Sequence, residues 1–164
     1  MSTDLKTLYQ GSLTATHAAE QQGLQQMETQ LSGLTDYPDY AALLQRHITV
    51  TKAQITRLEQ AMADTGTSPP AVKEGVTTAI GAVGAAVHGL FPDTQLKNLY
   101  AGYAYQHEQI AAYQSLAVIA DQAGFAGHRS WIEQSLAEER EGASAVEQLI
   151  EPVTRRYLTL AVGA

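Results

Sequence analysis

Apolar residues recur at alternating steps of three and four in four segments of the chain, and this periodicity limits the fold more than any other feature. The segments are residues 13–34, 44–62, 96–117 and 132–150. Such spacing places the apolar side chains on one face of an α-helix and is typical of helices that pack into a bundle. We therefore predict an all-α protein built from four amphipathic helices.

Turn-forming sequences separate the four segments and set the lengths of the connections. TDYPDY lies between the first two helices and QAGFAGH between the last two, so each pair should form an antiparallel hairpin. Gly66 and the prolines after it should end the second helix. Asp93 is an expected N-cap of the third helix, and Ser130 with Glu133 gives the fourth a capping-box pattern.

The connection between the second and third helices is much longer, at about residues 65–92. A helical segment of that length rises about 1.5 Å per residue and can traverse the bundle. A four-helix bundle with one long crossover is the ferritin-like arrangement, whereas short loops throughout give simple up-and-down topology. The connection lengths therefore predict a ferritin-like bundle with a long helical crossover between helices two and three.

The whole chain, residues 1–164, is short enough to form a single domain and long enough to bury a core. We divide it into the bundle, the crossover and a C-terminal tail at about residues 152–164. The tail ends in apolar residues and should dock on its own bundle or on a partner subunit. The apolar tail and the tyrosine-rich third helix together suggest more exposed apolar surface than a monomer needs. We therefore expect a homodimer.

Charge and composition exclude several classes of function. The net charge is −7, so no basic surface is expected for nucleic acid or for anionic membranes. There is no cysteine, which removes disulfides, thiol catalysis and cysteine-ligated zinc. The first residues, MSTDLKTLYQ, lack the apolar core of a secretory signal. We expect a cytoplasmic protein with no membrane or nucleic-acid partner.

Polar residues interrupt each apolar stripe near its middle. Unpaired polar groups cost on the order of 1–3 kcal/mol when buried, so four helices with the same interruption predict one polar layer inside the bundle. Three contents fit such a layer: a metal centre, a hydrogen-bonded network without a ligand, or a small-molecule pocket. The expected pocket residues are His17, Glu20, His47, Thr51, Gln106, Gln109 and Glu139. In an enzyme, Glu20, Glu139 and His47 are the candidates for acid–base chemistry.

Four motifs lie in the same order and spacing as those of a known group. They are AAEQQ at 18–22, HITVTKAQITRLEQ at 47–60, QHEQIAAY at 106–113 and LAEERE at 136–141. With these motifs the chain resembles the YciE/YciF family of ferritin-like proteins, which is associated with bacterial stress responses. The resemblance covers about residues 18–149 and implies a ferritin-like fold with a dimetal site inside the bundle.

The chain departs from the family pattern at the positions of the metal ligands. Val50, Gln106 and Gln109 stand where the family has glutamate, and Ala143 replaces an aspartate often found there. The remaining candidate ligands, for iron or manganese, are Glu20, His47, His107 and Glu139. Two carboxylates offset too little of the charge of two divalent ions, which prefer anionic oxygen.

We therefore expect no metal cofactor and predict a ferritin-like protein with a depleted site and a structural, stress-associated role. Two alternatives stay open. One is a metal-independent enzyme or small-molecule binder that reuses the polar cavity. The other is a residual metal-binding oxidase or peroxidase.

Overall fold

A computed structural model of the chain describes residues 4–69 and 94–163, which form four long α-helices. These are α1 (Leu5–Leu31), α2 (Pro38–Thr65), α3 (Thr94–Gln122) and α4 (Arg129–Val162), with a short 3₁₀ turn at Ala126–His128 before α4. No residue in these two ranges lies in a β-strand. The prediction of an all-α protein with four helices is confirmed.

Each helix packs against two neighbours, and α1 and α4 lie on opposite corners of the bundle because both pack against α2 and α3. Gln10 near the start of α1 donates to the carbonyl of Thr65 at the end of α2. Gln95 near the start of α3 donates to the carbonyl of Gly33, just after α1. Helix α1 is therefore antiparallel to both α2 and α3, and these two run parallel to each other.

Because α2 and α3 are parallel, the end of α2 and the start of α3 lie at opposite ends of the bundle. This is the ferritin-like connectivity predicted from the connection lengths. The expected helix in the crossover and the expected N-cap at Asp93 lie outside the described residues. Within the described ranges, no helix is both long and apolar enough to cross a membrane.

The helix ends confirm one local prediction and correct another. Gly66 ends α2 in the left-handed conformation, with φ of 79°, which glycine adopts without steric cost. The prediction of a capping box at Ser130 and Glu133 is wrong. Helix α4 begins earlier, at Arg129, and has no side-chain cap. Ser130 therefore lies inside the first turn, and the Glu133 carboxylate instead accepts a hydrogen bond from Arg129.

Helix α4 continues through Pro152 to Val162, so the segment we treated as a tail is the last part of a helix. Val153 is buried, and Tyr157 and Leu160 pack against the core near the α1–α2 loop. The tail therefore docks on its own bundle. Leu158 and Val162 remain 54% and 86% exposed.

Two apolar clusters fill the described part of the bundle, one toward each end. One lies near the α1–α2 loop and includes Leu34, Tyr40, Leu44, Leu99 and Val146. The other lies toward the start of α1 and includes Tyr9, Leu13, Leu58, Tyr113 and Ile132. Burial of each large aliphatic side chain stabilises the fold by about 1.5–3 kcal/mol. Between the two clusters, each helix contributes buried polar residues.

Candidate functional site

The structure buries all seven predicted pocket residues, and six of them, all but His17, lie in one layer between the two apolar clusters, which we call the polar layer. None of the seven side chains is more than 7% exposed, and Glu20, Thr51, Gln109 and Glu139 are completely buried. The layer also contains four residues outside the predicted pocket set. These are Gln54, Tyr105, Tyr113 and Ser135.

Glu20 on α1 is held by two tyrosines of α3. The Tyr105 hydroxyl donates to Oε2 at 2.8 Å, and the Tyr113 hydroxyl donates to Oε1 at 2.8 Å. Burial raises the pKa of Glu20, and the two hydroxyls partly offset this by stabilising the carboxylate. Burial also raises the pKa of both tyrosines, so their hydroxyls stay protonated and remain donors. Gly23 makes room for Tyr105, because a Cβ there would lie 2.4 Å from the hydroxyl.

Only one of the two carboxyl oxygens of Glu139 on α4 has a hydrogen-bond partner. Its Oε1 accepts a hydrogen bond of 2.7 Å from the Gln54 amide, whereas its Oε2 has no partner. Burial raises the pKa of Glu139, and the negative charge of Glu20 raises it further. Two carboxyl groups that are buried and close together resist simultaneous ionisation. Glu139 therefore holds a proton at a pH where an exposed glutamate has lost it.

His47 on α2 meets Gln106 on α3 at the edge of the layer. The Gln106 amide nitrogen lies 2.7 Å from His47 Nε2 and donates to it, which leaves the imidazole proton on Nδ1. Burial lowers the pKa of His47 to about 4, so the ring is neutral at pH 7. Gly142 makes room for this pair. A Cβ on Gly142 would lie 2.6 Å from Gln106 Oε1 and 2.7 Å from His47 Cε1.

Two predicted residues lie apart from this network. His17 is buried, but its Nε2 faces Glu59 Oε1 at 3.2 Å on the α1–α2 side of the bundle. His107 is exposed and its ring packs edge-on against Tyr103, with centroids 4.6 Å apart. The structure therefore brings Glu20, His47 and Glu139 into the interior and leaves His107 outside.

A family description, "Domain of unknown function (DUF892)", matches residues 4–159. The chain belongs to this family. Its solved structural neighbours are ferritin-like proteins of the YciE/YciF type, as the sequence motifs indicated. A Xanthomonas campestris protein superposes with a TM-score of 0.83 at 22% identity, covering 97% of this chain and 99% of that one.

Two further solved structures show the same fold. The Escherichia coli stress protein YciF matches with a TM-score of 0.71 at 20% identity, over 92% of this chain and 96% of its own. A Desulfovibrio desulfuricans bacterioferritin, whose structure describes a diiron site, matches with a TM-score of 0.75 at 16% identity. That match covers 93% of this chain and 83% of the bacterioferritin chain. The ferritin-like fold is thus confirmed. Because the bacterioferritin structure describes a diiron site, the next question is whether the polar layer of this chain fits two metal ions.

The donor atoms do not fit a dimetal site. Ferritin-like centres take a glutamate from each of two helices and a Glu-x-x-His motif from each of the other two. Here the inward positions with that spacing are Thr51 and Gln54 on α2, and Glu139 and Gly142 on α4. Of the four residues that two such motifs require, only the glutamate at Glu139 is present at these positions. No three histidine or acidic residues in the described ranges are grouped to hold an ion.

Proposed function

We propose that this DUF892 protein is a structural, non-catalytic ferritin-like bundle whose polar layer is not a dimetal site. The observation that carries the proposal is that a tyrosine hydroxyl donates a hydrogen bond to each oxygen of Glu20. These two bonds take up one lone pair of each oxygen and orient the carboxylate toward the tyrosines rather than toward an ion. Glu139 Oε2 is then the one carboxylate oxygen of the polar layer that has no partner.

Charge supports the same conclusion. Two divalent ions bring four positive charges into a medium of low dielectric, and the polar layer contains two carboxyl groups at most. The remaining polar side chains are amides, hydroxyls and a neutral histidine, which carry no negative charge to compensate the excess positive charge of the ions. Burial raises the pKa of both glutamates, and the charge of Glu20 raises the pKa of Glu139 further, so the polar layer favours a retained proton on Glu139. We further propose a role in the stress response, on the strength of the similarity to the stress protein YciF.

Metal loading of the full chain tests this proposal. Protein incubated anaerobically with Fe²⁺ or Mn²⁺ and then desalted should retain less than one ion per chain by elemental analysis. The double variant Glu20→Gln/Glu139→Gln should retain the same small amount, because any residual binding is on the surface. Retention of two ions by the parent and loss of both in the double variant would overturn the proposal and indicate a residual metal oxidase.

A gain-of-ligand variant tests the account of why metal binding is absent. Thr51 and Gln54 are completely buried, whereas Val50, the position that the motif comparison suggested, is half-buried. We therefore expect the triple variant Thr51→Glu/Gln54→His/Gln109→Glu to bind Fe²⁺ or Mn²⁺ more tightly than the parent. A matched variant with Val50→Glu in place of Thr51→Glu should gain less. Equal, undetectable binding in both variants would contradict the lost-ligand account.

A cavity beside His47 favours binding of a small molecule as a second function. A space of about 40 Å³ extends from Gln26 and Gly102 on the α1–α3 surface to His47 and Gln106. This volume holds a molecule of a few non-hydrogen atoms. Small amides such as formamide should raise the Tm of the parent, and Gly102→Val, which places a side chain at the cavity, should abolish that rise. An unchanged Tm in the parent would exclude this function.

We also propose that the protein is a cytoplasmic homodimer. The support for self-association is the exposed apolar side chains at the end of α4, Leu158 and Val162. Light scattering at micromolar concentration should give twice the chain mass of 17.6 kDa. Leu158→Glu/Val162→Glu should shift the mass toward the monomer, and a parent that is monomeric throughout would contradict the proposal.

A further inference from the structure

The cavity beside His47 has an open end and a closed end. The open end lies between the exposed Gln26 on α1 and Gly102 on α3. Nothing lies within 4 Å of a Cβ placed on Gly102, so the absence of a side chain there leaves space. The closed end is at Val146 of α4, which is 5% exposed. Because α4 lies across the bundle from α1, a molecule that enters beside Gln26 and reaches Val146 has crossed into the core.

The wall of this cavity is mainly carbon. Much of the lining belongs to the apolar cluster near the α1–α2 loop. The residues shared by the cavity and that cluster are Met27, Tyr40, Leu43, Leu44, Leu99 and Val146. An alkyl group that moves from water to such a wall is stabilised, because its apolar surface is removed from water.

Both tyrosines of the lining use their hydroxyl protons on other side chains. The Tyr40 hydroxyl donates to Gln30 Oε1, and the Tyr105 hydroxyl donates to Glu20 Oε2. These protons are therefore not available to a ligand, and the rings of the two tyrosines add further carbon surface to the wall.

The remaining polar pair of the lining, His47 and Gln106, is directed toward α4. The Gln106 amide nitrogen donates to His47. The two atoms left over, Gln106 Oε1 and His47 Nδ1, would lie 2.6 and 3.1 Å from a Cβ on Gly142, which is not part of the lining. Within residues 4–69 and 94–163, no aspartate, glutamate, lysine or arginine lines the cavity. Its interior therefore favours an uncharged and apolar group.

We propose that the cavity binds a small uncharged molecule with a short alkyl chain, such as an aliphatic amide or alcohol, with the chain directed toward Val146 and the head group beside Gln26. The chain lies inward because the wall is carbon, and the head group lies outward because the Gln26 amide and water offer hydrogen bonds there. The volume of about 40 Å³ limits the chain to about two or three carbons. This inference rests on the small-molecule binding proposed above, and it adds the class and the orientation of the ligand.

A series of amides that differ only in chain length tests the class of ligand. Formamide, acetamide, propionamide and hexanamide are titrated into the full chain, and the methyl resonances of Leu44 and Val146 are followed by ¹H–¹³C NMR. We expect saturable shifts, with a Kd that falls about fourfold for each carbon from formamide to propionamide, because each carbon leaves water for the apolar wall. Hexanamide should bind no more tightly than propionamide, because its chain is longer than the cavity.

N-Methylpropionamide tests the orientation, because the added methyl enlarges the head group alone. It should bind about as tightly as propionamide if the head group lies at the surface. A head group packed inside the core would not tolerate the added methyl. Loss of binding would therefore overturn the proposed orientation.

A pair of valine variants makes the test specific. Val146→Ile should weaken the binding of propionamide by about fivefold and affect acetamide less, because the added methyl shortens the closed end of the cavity. The matched control Val118→Ile, at a valine of α3 that is 62% exposed, should leave both affinities unchanged. Circular dichroism shows that each variant is helical.

The outcomes separate this inference from the function on which it rests. Equal Kd values for formamide and propionamide, or binding of propionamide that Val146→Ile leaves unchanged, overturn the inference and leave small-molecule binding itself intact. If none of the amides gives a saturable shift, both the inference and the small-molecule function are overturned.

Discussion

At the scale of single residues, Glu139 and His47 have opposite effects on how stability depends on pH. Folding raises the pKa of Glu139 above its ordinary 4.5, so the folded state binds more protons than the unfolded state above that pH. Its contribution is complete at low pH and is lost as the pH rises through the folded pKa. His47 has a folded pKa of about 4 against an ordinary 6.5, so its contribution is complete above 6.5 and is lost toward pH 4.

For Glu139 the predicted variant is Glu139→Gln. The amide keeps an acceptor for Gln54 and removes the cost of ionising a buried acid. We expect equal unfolding free energies at pH 5 and a gain of roughly 1–3 kcal/mol at pH 8.5, since each unit of pKa shift is worth about 1.4 kcal/mol. Urea unfolding measures this, with the exposed Glu141→Gln as the control. An equal gain in unfolding free energy at pH 5 and at pH 8.5 would show that the gain does not come from ionisation of Glu139.

For His47 the predicted variant is His47→Gln, with the exposed His107→Gln as its control. The difference in unfolding free energy between the parent and His47→Gln should shrink as the pH falls from 6.5 to 4.5. The expected change is about 1–2 kcal/mol, because the parent loses stability there and the variant has no imidazole to protonate. The control should show a pH-independent difference. A constant difference for His47→Gln would mean that the ring is not held neutral by burial.

At the scale of helices, periodicity identified the elements and the polar layer but not its hydrogen bonds. The stripes located all four helices, because apolar side chains at three- and four-residue steps cover one face whatever the partner is. Successive residues of a helix differ by about 100° around its axis, so an error of one position exchanges an inner for an outer residue. This is why the motif comparison indicated Val50 and His107, whereas the buried positions beside them are Thr51 and Gln106, both of which the apolar stripes had placed in the pocket.

The glycines illustrate what a helical pattern omits. A glycine inside a helix lowers the stability of that helix. Gly23 and Gly142 nevertheless each leave space for side chains from other helices. Tyr105 fills the space at Gly23, and the His47–Gln106 pair fills the space at Gly142. Such fits depend on the distance and rotation between helices, which the sequence of one helix does not specify.

Within α1, a pair of glycine substitutions tests this role. Nothing lies within 4 Å of a Cβ on Gly11, whereas a Cβ on Gly23 would lie 2.4 Å from the Tyr105 hydroxyl. Gly11→Ala should therefore stabilise the protein by about 0.5–1 kcal/mol through helix propensity. Gly23→Ala should destabilise it by about 1–3 kcal/mol, because Tyr105 has to move away from Glu20. Urea unfolding compares the two, and a stabilising Gly23→Ala would show that Tyr105 is not held there.

At the scale of the whole molecule, the polar layer interrupts an otherwise continuous apolar interior. The two apolar clusters on either side are those of an ordinary bundle, and either would extend across the gap if the polar residues were apolar. A bundle selected for stability alone has no need of such a layer, since replacing buried polar groups by packed apolar ones is often neutral or stabilising. The polar layer is therefore expected to lower the stability of the fold.

An apolar replacement of the polar layer measures that cost. The variant Thr51→Val/Gln54→Met/Gln109→Met/Glu139→Met removes five of the six buried side-chain atoms that lack a hydrogen-bond partner in the described ranges, together with both partners of the Gln54–Glu139 bond. We expect it to be more stable than the parent by about 1–4 kcal/mol in urea at pH 8. The single variant Glu139→Met should be the least stable of the three, because it leaves the Gln54 amide without an acceptor. A quadruple variant that is helical yet no more stable than the parent would show that the polar residues satisfy one another.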